Sequence, residues 1–323
     1  MTKSFQVIRT HLSPYQAKNF EQIESSALEM LPGIKYRQLG DFKAQQPTIL
    51  VTNTHTKISE LPPEILKSTE LIVHPNSGYD NFRQDEKFWK DIPLIIGHEI
   101  RAQAVAEYTL SCLFQGLTEL PQHLSWDHSR NWSRNLIKGR EVWIFGHGHI
   151  GKIVAQTLSA LGANLTIVDP FIKSCPYKHL KKWQEGFIRN AEIVIAACGL
   201  NDFSHHLFNQ DFFDGAHPDV IFINGARGGL VKESALRSFL LTHPKAQAFL
   251  DVFEKEPFTE EWHHFPQVWK TSHIAGVHKD LDQEILRFEV RVISDFLQLS
   301  THEFLGKYSL ELLQNKKHQG VII

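Results

Sequence analysis

The sequence predicts an α/β protein with two domains, and three observations support this. The chain has 323 residues, more than the roughly 100 to 200 usual for one domain. Short β-like segments alternate with segments of helical periodicity along most of its length. In the second half the β-like segments lack a polar face, which is typical of a parallel sheet covered on both sides by helices.

The first part of the chain, Phe5 to Ile100, reads as an α/β unit. Its predicted strands are Phe5 to Arg9, Thr48 to Thr52 and Leu71 to His74, and its predicted helices are Pro14 to Leu31 and Pro62 to Ser68. A long helix is expected from Ala102 to Leu120, with Pro121 ending it. Its buried face would comprise Val105, Leu110, Leu113 and Leu117. The sequence near residue 100 contains no low-complexity linker. We therefore expect that the chain crosses from one domain to the other within this helix.

The second part, after Lys138, predicts a doubly wound domain of parallel strands. The expected strands are Val142 to Phe145, Leu165 to Val168, Ile193 to Ala197, Val220 to Ile223 and Ala248 to Val252. A final amphipathic helix is expected from Asp280 to Leu299. Its apolar stripe comprises Leu281, Ile285, Phe288, Val292 and Phe296. Residues 301 to 323 give no clear pattern.

Composition excludes several classes of function. A net charge of −2, without basic segments interleaved with aromatics, argues against nucleic acid as a partner. No segment reaches the roughly 18 apolar residues of a membrane span, and residues 1 to 14 lack the apolar centre of a signal peptide. Cys112, Cys175 and Cys198 are too few and too widely spaced for a disulfide framework. We therefore expect a cytoplasmic protein without a membrane or nucleic-acid partner.

A glycine-rich turn joins the strand ending at Phe145 to a helix expected from Lys152 to Leu161. The turn reads Gly146-His147-Gly148-His149-Ile150-Gly151. Such a turn needs one glycine for a tight bend, one for close approach of backbone to a pyrophosphate, and one for helix packing. The N-terminus of the helix would offer N–H groups to the phosphates. The pattern favours a dinucleotide site, although glycines also occur in plain loops.

Asp169 indicates which dinucleotide would bind. It follows the next predicted strand, 18 residues after Gly151, near the spacing at which a carboxylate reaches the ribose hydroxyls. Its charge would repel a 2′-phosphate, so NAD is favoured over NADP. The alternative is that Asp169-Pro170 only forms a strand-ending turn.

Three later segments carry an arginine, a glutamate and a histidine. They are Asn224 to Gly229, Asp251 to Pro257 and Ser272 to Gly276, each at or after a strand end. The carboxyl ends of parallel strands border the ligand crevice, so Arg227, Glu256 and His273 could converge there. Arg227 can bind a carboxylate through two hydrogen bonds, and His273 can exchange a proton near neutral pH while Glu256 fixes its tautomer. Each alone could equally be a surface or turn residue.

With these motifs in order, the chain resembles the D-isomer specific 2-hydroxyacid dehydrogenases over nearly its whole length. Further markers are Ser77-Gly78-Tyr79-Asp80-Asn81 and Val105-Ala106-Glu107-Tyr108-Thr109-Leu110. The resemblance implies two Rossmann-like lobes, with a doubly wound NAD-binding domain inserted in a discontinuous flavodoxin-like substrate domain. The domains would cover residues 101–281, and 1–100 plus 282–323. It also implies hydride transfer between NAD(H) and the alpha carbon of a small D-2-hydroxy or 2-keto acid.

The resemblance also assigns site residues and a homodimer. Arg227, Glu256 and His273 would be catalytic, with His273 as general acid and base. The residues implied to bind NAD are Gly146, Gly148, His149, Ile150, Gly151, Asp169, Cys198, Ala226, Arg227, Asp251, His273 and Gly276. Asp251 would face the nicotinamide amide. The residues implied to bind substrate are Asn76, Ser77, Gly78, Arg227 and His273. Glu256, rather than glutamine, argues against the formate dehydrogenase branch.

Three departures from the family pattern bear on the ligands. His149 stands where the family usually has arginine, and Cys198-Gly199-Leu200-Asn201 replaces a loop that usually contains proline. Thr52-Asn53-Thr54-His55 lacks the arginine that phosphoglycerate-oxidising members tend to carry. A phosphorylated substrate is therefore less expected, although Arg37 or His55 could supply charge.

Two other classes of function remain as alternatives. One is an NAD(H)-sensing regulatory protein that keeps the fold, against which the complete Arg, Glu and His set argues. The other is metal-dependent hydrolysis, suggested by 19 histidines. The pairs His205-His206 and His263-His264 lack the spacing of a known zinc motif, so no metal is expected.

Overall fold

The structure is a computed structural model that describes residues 3–118, 120, 122–130, 132, 134–318 and 321–322. Contacts divide the chain into two compact units. Unit 1 contains the residues up to Ala102 and those from Val277 onward, and unit 2 runs from Gln103 to Gly276. The predicted boundaries lie a few residues from these, and the roles of the two regions as substrate and cofactor domains stay a prediction.

The elements follow one another as alternating strands and helices. Up to the first unit boundary they are β1 (Phe5–Arg9), α1 (Phe20–Glu29), β2 (Ile34–Arg37), β3 (Thr48–Val51), α2 (Pro63–Ser68), β4 (Thr69–His74), α3 (Glu86–Trp89), β5 (Leu94–Ile96) and α4 (His98–Leu117), which crosses the boundary. Unit 2 continues with β6 (Glu141–Phe145), α5 (His149–Ala160), β7 (Asn164–Val168), β8 (Lys178–Leu180), β9 (Ile193–Ala196), α6 (Gln210–Gly215), β10 (Ile221–Asn224), α7 (Glu233–Thr242), β11 (Gln247–Leu250) and β12 (Val268–Lys270). The chain then returns to unit 1 with α8 (Leu281–Gln298), α9 (Thr301–Lys307), β13 (Lys317–His318) and β14 (Val321–Ile322).

Unit 1 is built on a five-stranded sheet in the order β2-β1-β3-β4-β5. All neighbouring strands in it are parallel. This is the flavodoxin-like order. Apolar residues cover both faces, with α1, α8 and α9 contributing to one core and α2 and α3 to the other.

Unit 2 contains a seven-stranded sheet in the order β12-β11-β10-β9-β6-β7-β8. Its strands are parallel throughout. Strand order reverses between β6 and β9, so the carboxyl ends of these two strands form the switch point where such sheets bind ligands. The predicted fold class, a doubly wound domain inserted in a discontinuous flavodoxin-like one, is confirmed.

Several predicted bounds differ from the observed ones. The first helix begins at Phe20 rather than Pro14. The segment before it instead forms a turn, closed by the Gln16 N–H donating to the Ser13 oxygen, and the Ala17 N–H donates to Asp282 Oδ2. Helix α5 begins at His149, directly after Gly148. Pro121, expected to end α4, lies outside the described residues. Strands β2, β5, β8, β12, β13 and β14 and helices α3 and α9 were not predicted.

The predicted apolar stripe of α8 is largely buried, and so is that of α4. Leu281, Ile285, Phe288 and Val292 are each at most 3% exposed. Within the described ranges, no helix is both long and apolar enough to cross a membrane.

The two ends of the chain are tied together in unit 1 by a buried cluster of charges. Arg9, the last residue of β1, donates from Nη2 to Glu24 Oε1 of α1 and to Glu289 Oε1 of α8, both at 2.5 Å. The three side chains are at most 3% exposed. One guanidinium faces two carboxylates, and burial raises the pKa of Glu289 well above its ordinary value, although Arg9 opposes the shift.

We expect Arg9→Met to lower the free energy of unfolding by about 3–5 kcal/mol at pH 7, because it leaves the buried Glu24 carboxylate and the buried Glu289 carboxyl group without the guanidinium that binds both. Urea denaturation would measure the loss. Lys3→Met, which breaks the exposed ion pair between Lys3 and Glu70, is the control and should cost less than about 1 kcal/mol. Equal losses in the two variants would contradict the account.

Glu289→Gln should behave differently from Arg9→Met. Glu289 keeps its proton in the folded protein where the unfolded chain releases it, so wild-type stability should fall as pH rises above the ordinary glutamate pKa of 4.5. The glutamine has no proton to lose, and its unfolding free energy should therefore depend less on pH. Identical slopes of stability against pH from 4.5 to 8, measured by urea denaturation, would contradict this reading.

Candidate active site

The glycine turn lies where the sequence predicts it, between β6 and α5 in unit 2. Gly146 has a φ of +100°, and a Cβ there would come within 2.7 Å of the Ala197 carbonyl oxygen after β9. A Cβ on Gly151 would lie 2.1 Å from the Gly146 oxygen. A Cβ on Gly148, by contrast, would meet nothing within 4 Å. Two glycines thus allow close packing, and the third leaves room for a ligand against the backbone.

The arrangement fits a dinucleotide. Gly148 is the N-cap of α5 and has no side-chain cap, so His149, Ile150 and Gly151 form the first helical turn, whose N–H groups favour a phosphate. A larger residue at Gly148 would fill this space. The structure therefore provides the backbone surface that a pyrophosphate requires.

Asp169 lies at the end of β7, beside this turn. Its Oδ2 accepts a hydrogen bond from the His147 N–H at 2.8 Å, and its Oδ1 accepts one from the Phe171 N–H at 2.9 Å. The residue is 8% exposed. The carboxylate therefore holds the glycine turn in shape, a role that the sequence did not indicate, and each oxygen keeps a further lone pair for a ribose hydroxyl.

The loop containing Cys198 is fixed by its own hydrogen bonds. Asn201 Oδ1 accepts from the N–H groups of Phe203 and Ser204, and Ser204 Oγ donates to the Gly199 oxygen at 2.7 Å. Burial raises the pKa of the Cys198 thiol to about 12. Cys198 is therefore a neutral thiol at ordinary pH, with no part as a nucleophile.

Arg227 follows β10 in a turn that is held by Asn224. The buried Asn224 accepts from the Ala226 N–H through Oδ1 and donates to the Arg227 oxygen through Nδ2. Arg227 Nη1 donates to the Ala226 oxygen at 2.7 Å. A Cβ on Gly228 would lie 1.8 Å from the Phe253 oxygen, so this turn packs directly against the segment that carries Glu256.

Glu256 and His273 are brought together. Glu256 Oε2 lies 2.8 Å from His273 Nδ1, and its Oε1 accepts from the Phe253 N–H at 3.3 Å. The side chains of His273 and Glu256 are 52% and 40% exposed. A carboxylate only accepts, so Nδ1 carries the proton. Nε2 is the other ring nitrogen, and the expected part of His273 in proton exchange stays a prediction.

The buried carboxylate of Asp251 organises the histidine segment. It is 1% exposed and accepts hydrogen bonds from the Thr271 hydroxyl and from the N–H groups of Ile274 and Ala275. The His273 N–H donates to the Asp251 backbone oxygen at 2.8 Å, and His273 has a left-handed φ of +55°. Asp251 thus determines the shape of this segment. Its expected contact with the nicotinamide amide stays a prediction, and so does the expected binding of NAD by Gly276.

A small cavity of about 200 Å³ borders the pair. Its lining consists of Asp251, Phe253, Glu256, Pro257, Phe258, Ser272 and His273. The three segments that line the site follow β10, β11 and β12, which are adjacent in the sheet. This adjacency, rather than closeness in sequence, places the predicted catalytic residues at one edge.

The predicted substrate loop lies in unit 1, after β4. The His74 ring bridges Thr52 Oγ1, at 2.9 Å from Nδ1, and the Gly78 oxygen, at 2.8 Å from Nε2. Arg101 Nη1 donates to the Pro75 oxygen at 2.6 Å. Asn76, Ser77 and Gly78 therefore belong to a loop fixed from both sides. The supporting roles of His74, Arg101, Asn224 and Thr271 were not predicted.

The sequence was compared with known proteins. The family model described as D-isomer specific 2-hydroxyacid dehydrogenase, NAD binding domain, matches residues 111–275. The D-3-phosphoglycerate dehydrogenase of Bacillus subtilis is 27% identical over 256 residues, which is 74% of this chain and 49% of that protein. The hydroxypyruvate reductase of Thermotoga maritima is 24% identical over 220 residues, which is 66% of this chain and 71% of that protein. The chain spans about half the length of the phosphoglycerate dehydrogenases that it matches, 49% and 46% for those of Bacillus subtilis and Methanocaldococcus jannaschii.

Solved structures show the same fold. A D-lactate dehydrogenase from Aquifex aeolicus, complexed with NAD and lactic acid, superposes with a TM-score of 0.74 at 18% identity, covering 96% of this chain and 99% of that one. An NADPH-dependent glyoxylate/hydroxypyruvate reductase from Sinorhizobium meliloti gives a TM-score of 0.70 at 20% identity, covering 92% of this chain and 94% of that one. The matched residues 111–275 include the glycine turn, Arg227, Glu256 and His273. The chain therefore belongs to the D-isomer specific 2-hydroxyacid dehydrogenases, and this segment is their NAD binding domain.

Proposed function

We propose that the protein catalyses NAD-dependent interconversion of a small D-2-hydroxy acid and its 2-keto acid. The observation that carries this proposal is the 2.8 Å hydrogen bond between Glu256 and His273. It orients a half-exposed imidazole at the carboxyl edge of an NAD binding domain. Bound NADH would supply the hydride that reduces the alpha carbon.

In the direction of reduction, His273 provides the proton. The doubly protonated ring donates from Nδ1 to Glu256 and from Nε2 to the carbonyl oxygen of the keto acid. After the transfer the ring is neutral and keeps its Nδ1 proton, because Glu256 still accepts it. In the reverse direction Nε2 takes the hydroxyl proton back. Glu256 therefore selects the nitrogen that exchanges protons with substrate.

Arg227 would bind the substrate carboxylate and polarise its carbonyl. Its planar guanidinium matches a carboxylate through two hydrogen bonds and stays charged at all relevant pH values. The Asn224-braced turn supports this role because it fixes the backbone from which the side chain extends. We further propose that Asn76, Ser77 and Gly78 contribute to binding the same carboxylate.

NAD would be held by the glycine turn, which includes His149 and Ile150. Cys198, Ala226, Asp251 and Gly276 would contribute further contacts. Relatives are described as acting with phosphoglycerate, hydroxypyruvate, glyoxylate and lactate, and we propose a member of this class of small acids as substrate. The comparisons do not support the NAD(H)-sensing alternative. The homodimer and the cytoplasmic location stay predictions.

We predict that the protein oxidises NADH in the presence of at least one of glyoxylate, hydroxypyruvate, pyruvate or a bulkier 2-keto acid. His273→Gln should lower kcat at least about a hundredfold, the usual scale for loss of a general acid. The fall in NADH absorbance measures the turnover of the wild type and of the variant. His302→Gln, which changes an exposed histidine of α9, is the matched control. Near-normal turnover of His273→Gln would remove His273 from the mechanism.

A second prediction concerns cofactor choice. Asp169→Asn removes the charge that repels a 2′-phosphate but keeps an acceptor oxygen for the turn, so kcat/KM with NADPH relative to NADH should rise at least about tenfold. Asp169→Ala removes both acceptors and should also lower the melting temperature. Steady-state kinetics with the two cofactors would measure the ratio, and an unchanged ratio in both variants would refute the assignment.

A further inference from the structure

Helix α4 contributes one side chain to the hydrogen bonds that support His273. The Tyr108 hydroxyl lies 2.7 Å from Thr271 Oγ1, and Thr271 Oγ1 lies 2.5 Å from Asp251 Oδ1. Tyr108 is 163 positions from Thr271 in sequence, and both belong to unit 2. The contact therefore joins the start of this unit to the segment that precedes His273.

The direction of these hydrogen bonds is fixed by chemistry. The Asp251 carboxylate only accepts, so the single Thr271 proton points to Asp251. Thr271 must then accept from Tyr108, whose phenol is the only proton source for that bond. Burial raises the pKa of Tyr108, so the phenol keeps its proton at the pH of catalysis.

The ring of Tyr108 also lies beside the turn that carries Arg227. A Cβ on Gly225, two residues before Arg227, would lie 3.6 Å from Tyr108 Cδ1 and 3.7 Å from Ala275 Cβ. A side chain at position 225 would therefore contact both the phenol ring and Ala275. The aromatic ring packs against the Arg227 turn, while its hydroxyl acts on the His273 segment.

This support matters because the His273 backbone is strained. A left-handed conformation at a non-glycine residue costs on the order of 1–3 kcal/mol and persists only when its surroundings fix it. Here the surroundings are the hydrogen bonds to Asp251. The Thr271 hydroxyl donates to Asp251 Oδ1, the oxygen that also accepts from the Ile274 N–H. The orientation of the Thr271 hydroxyl therefore sets the orientation of the carboxylate.

We propose that Tyr108 is a positioning residue for His273, acting through the Thr271 hydroxyl on the Asp251 carboxylate. This inference rests on the proposed function for its effect on turnover, but not for its effect on the His273 segment. The hydroxyl touches neither substrate nor cofactor in this proposal. It keeps the imidazole in the orientation in which Nδ1 meets Glu256.

The first test removes the hydroxyl alone. Tyr108→Phe should lower kcat for the keto acid about tenfold, the scale of one lost hydrogen bond, while the NADH dissociation constant changes less than about threefold because the glycine turn is untouched. Tyr308→Phe is the matched control, since Tyr308 likewise donates to a carboxylate, Asp295 Oδ2 at 2.6 Å, in unit 1. It should leave kcat unchanged. Wild-type kcat in Tyr108→Phe would overturn the proposal.

The second test asks whether Tyr108 acts through Thr271. Thr271→Val removes the intermediate hydroxyl and should lower kcat at least as much as Tyr108→Phe, whereas Thr271→Ser keeps the hydroxyl and should stay within about threefold of wild type. In the Thr271→Val background, Tyr108→Phe should have less than about a twofold further effect. Full additivity of the two losses would overturn the route through Thr271.

The third test does not depend on turnover. Hydrogen exchange followed by mass spectrometry should show faster exchange, by about tenfold, in the peptide that contains the Ile274 and Ala275 amides of Tyr108→Phe. Exchange there should be unchanged in Tyr308→Phe. If the wild type reduces no keto acid but this exchange difference appears, the proposed function fails while the positioning role stands. Equal exchange in wild type and Tyr108→Phe would overturn the positioning role itself.

Discussion

The conformation of the His273 segment depends on one buried carboxylate, that of Asp251. It receives three hydrogen bonds from Thr271, Ile274 and Ala275, and bonds to a charged group contribute about 1.5–3 kcal/mol each. Together these hydrogen bonds stabilise the segment by more than the cost of the left-handed conformation at His273, which is about 1–3 kcal/mol. The backbone therefore turns at the histidine, and its imidazole reaches Glu256 as a result.

The parallel sheet determines where this happens. Since β10, β11 and β12 are neighbours, the turns after them meet at one edge, and glycines allow contacts that a Cβ would block. Gly228 lets the Arg227 turn pack against Phe253, and Gly146 lets the dinucleotide turn pack against Ala197. The turns that carry His273, Arg227 and the glycine-rich sequence thus share one rigid support. Such placement on strand ends is what an enzyme needs to hold reacting groups in a fixed geometry.

Much of this could be predicted from the sequence, and the exceptions have physical reasons. Short apolar strands such as β6 and β9 and the glycine turn have local signals, so their existence and order were predictable. Edge strands such as β2, with the alternating sequence Ile-Lys-Tyr-Arg, carry weaker signals because one side lacks a partner strand. The roles of Tyr108 and Asn224 depend on partners that only the fold brings near. The same holds for Arg9 and Glu289, which are 280 positions apart.

We propose that hydride passes between NAD(H) and the alpha carbon of a 2-keto acid on this chain. Incubation with NADH that carries deuterium at both C4 positions, followed by mass spectrometry and chiral analysis of the product, reports the fate of this hydride. We expect deuterium at C2 of a 2-hydroxy acid formed from at least one small 2-keto acid, with the D configuration for every substrate other than glyoxylate, whose product has no D or L form. Product without deuterium at C2, product of L configuration, or no product from any keto acid would contradict it.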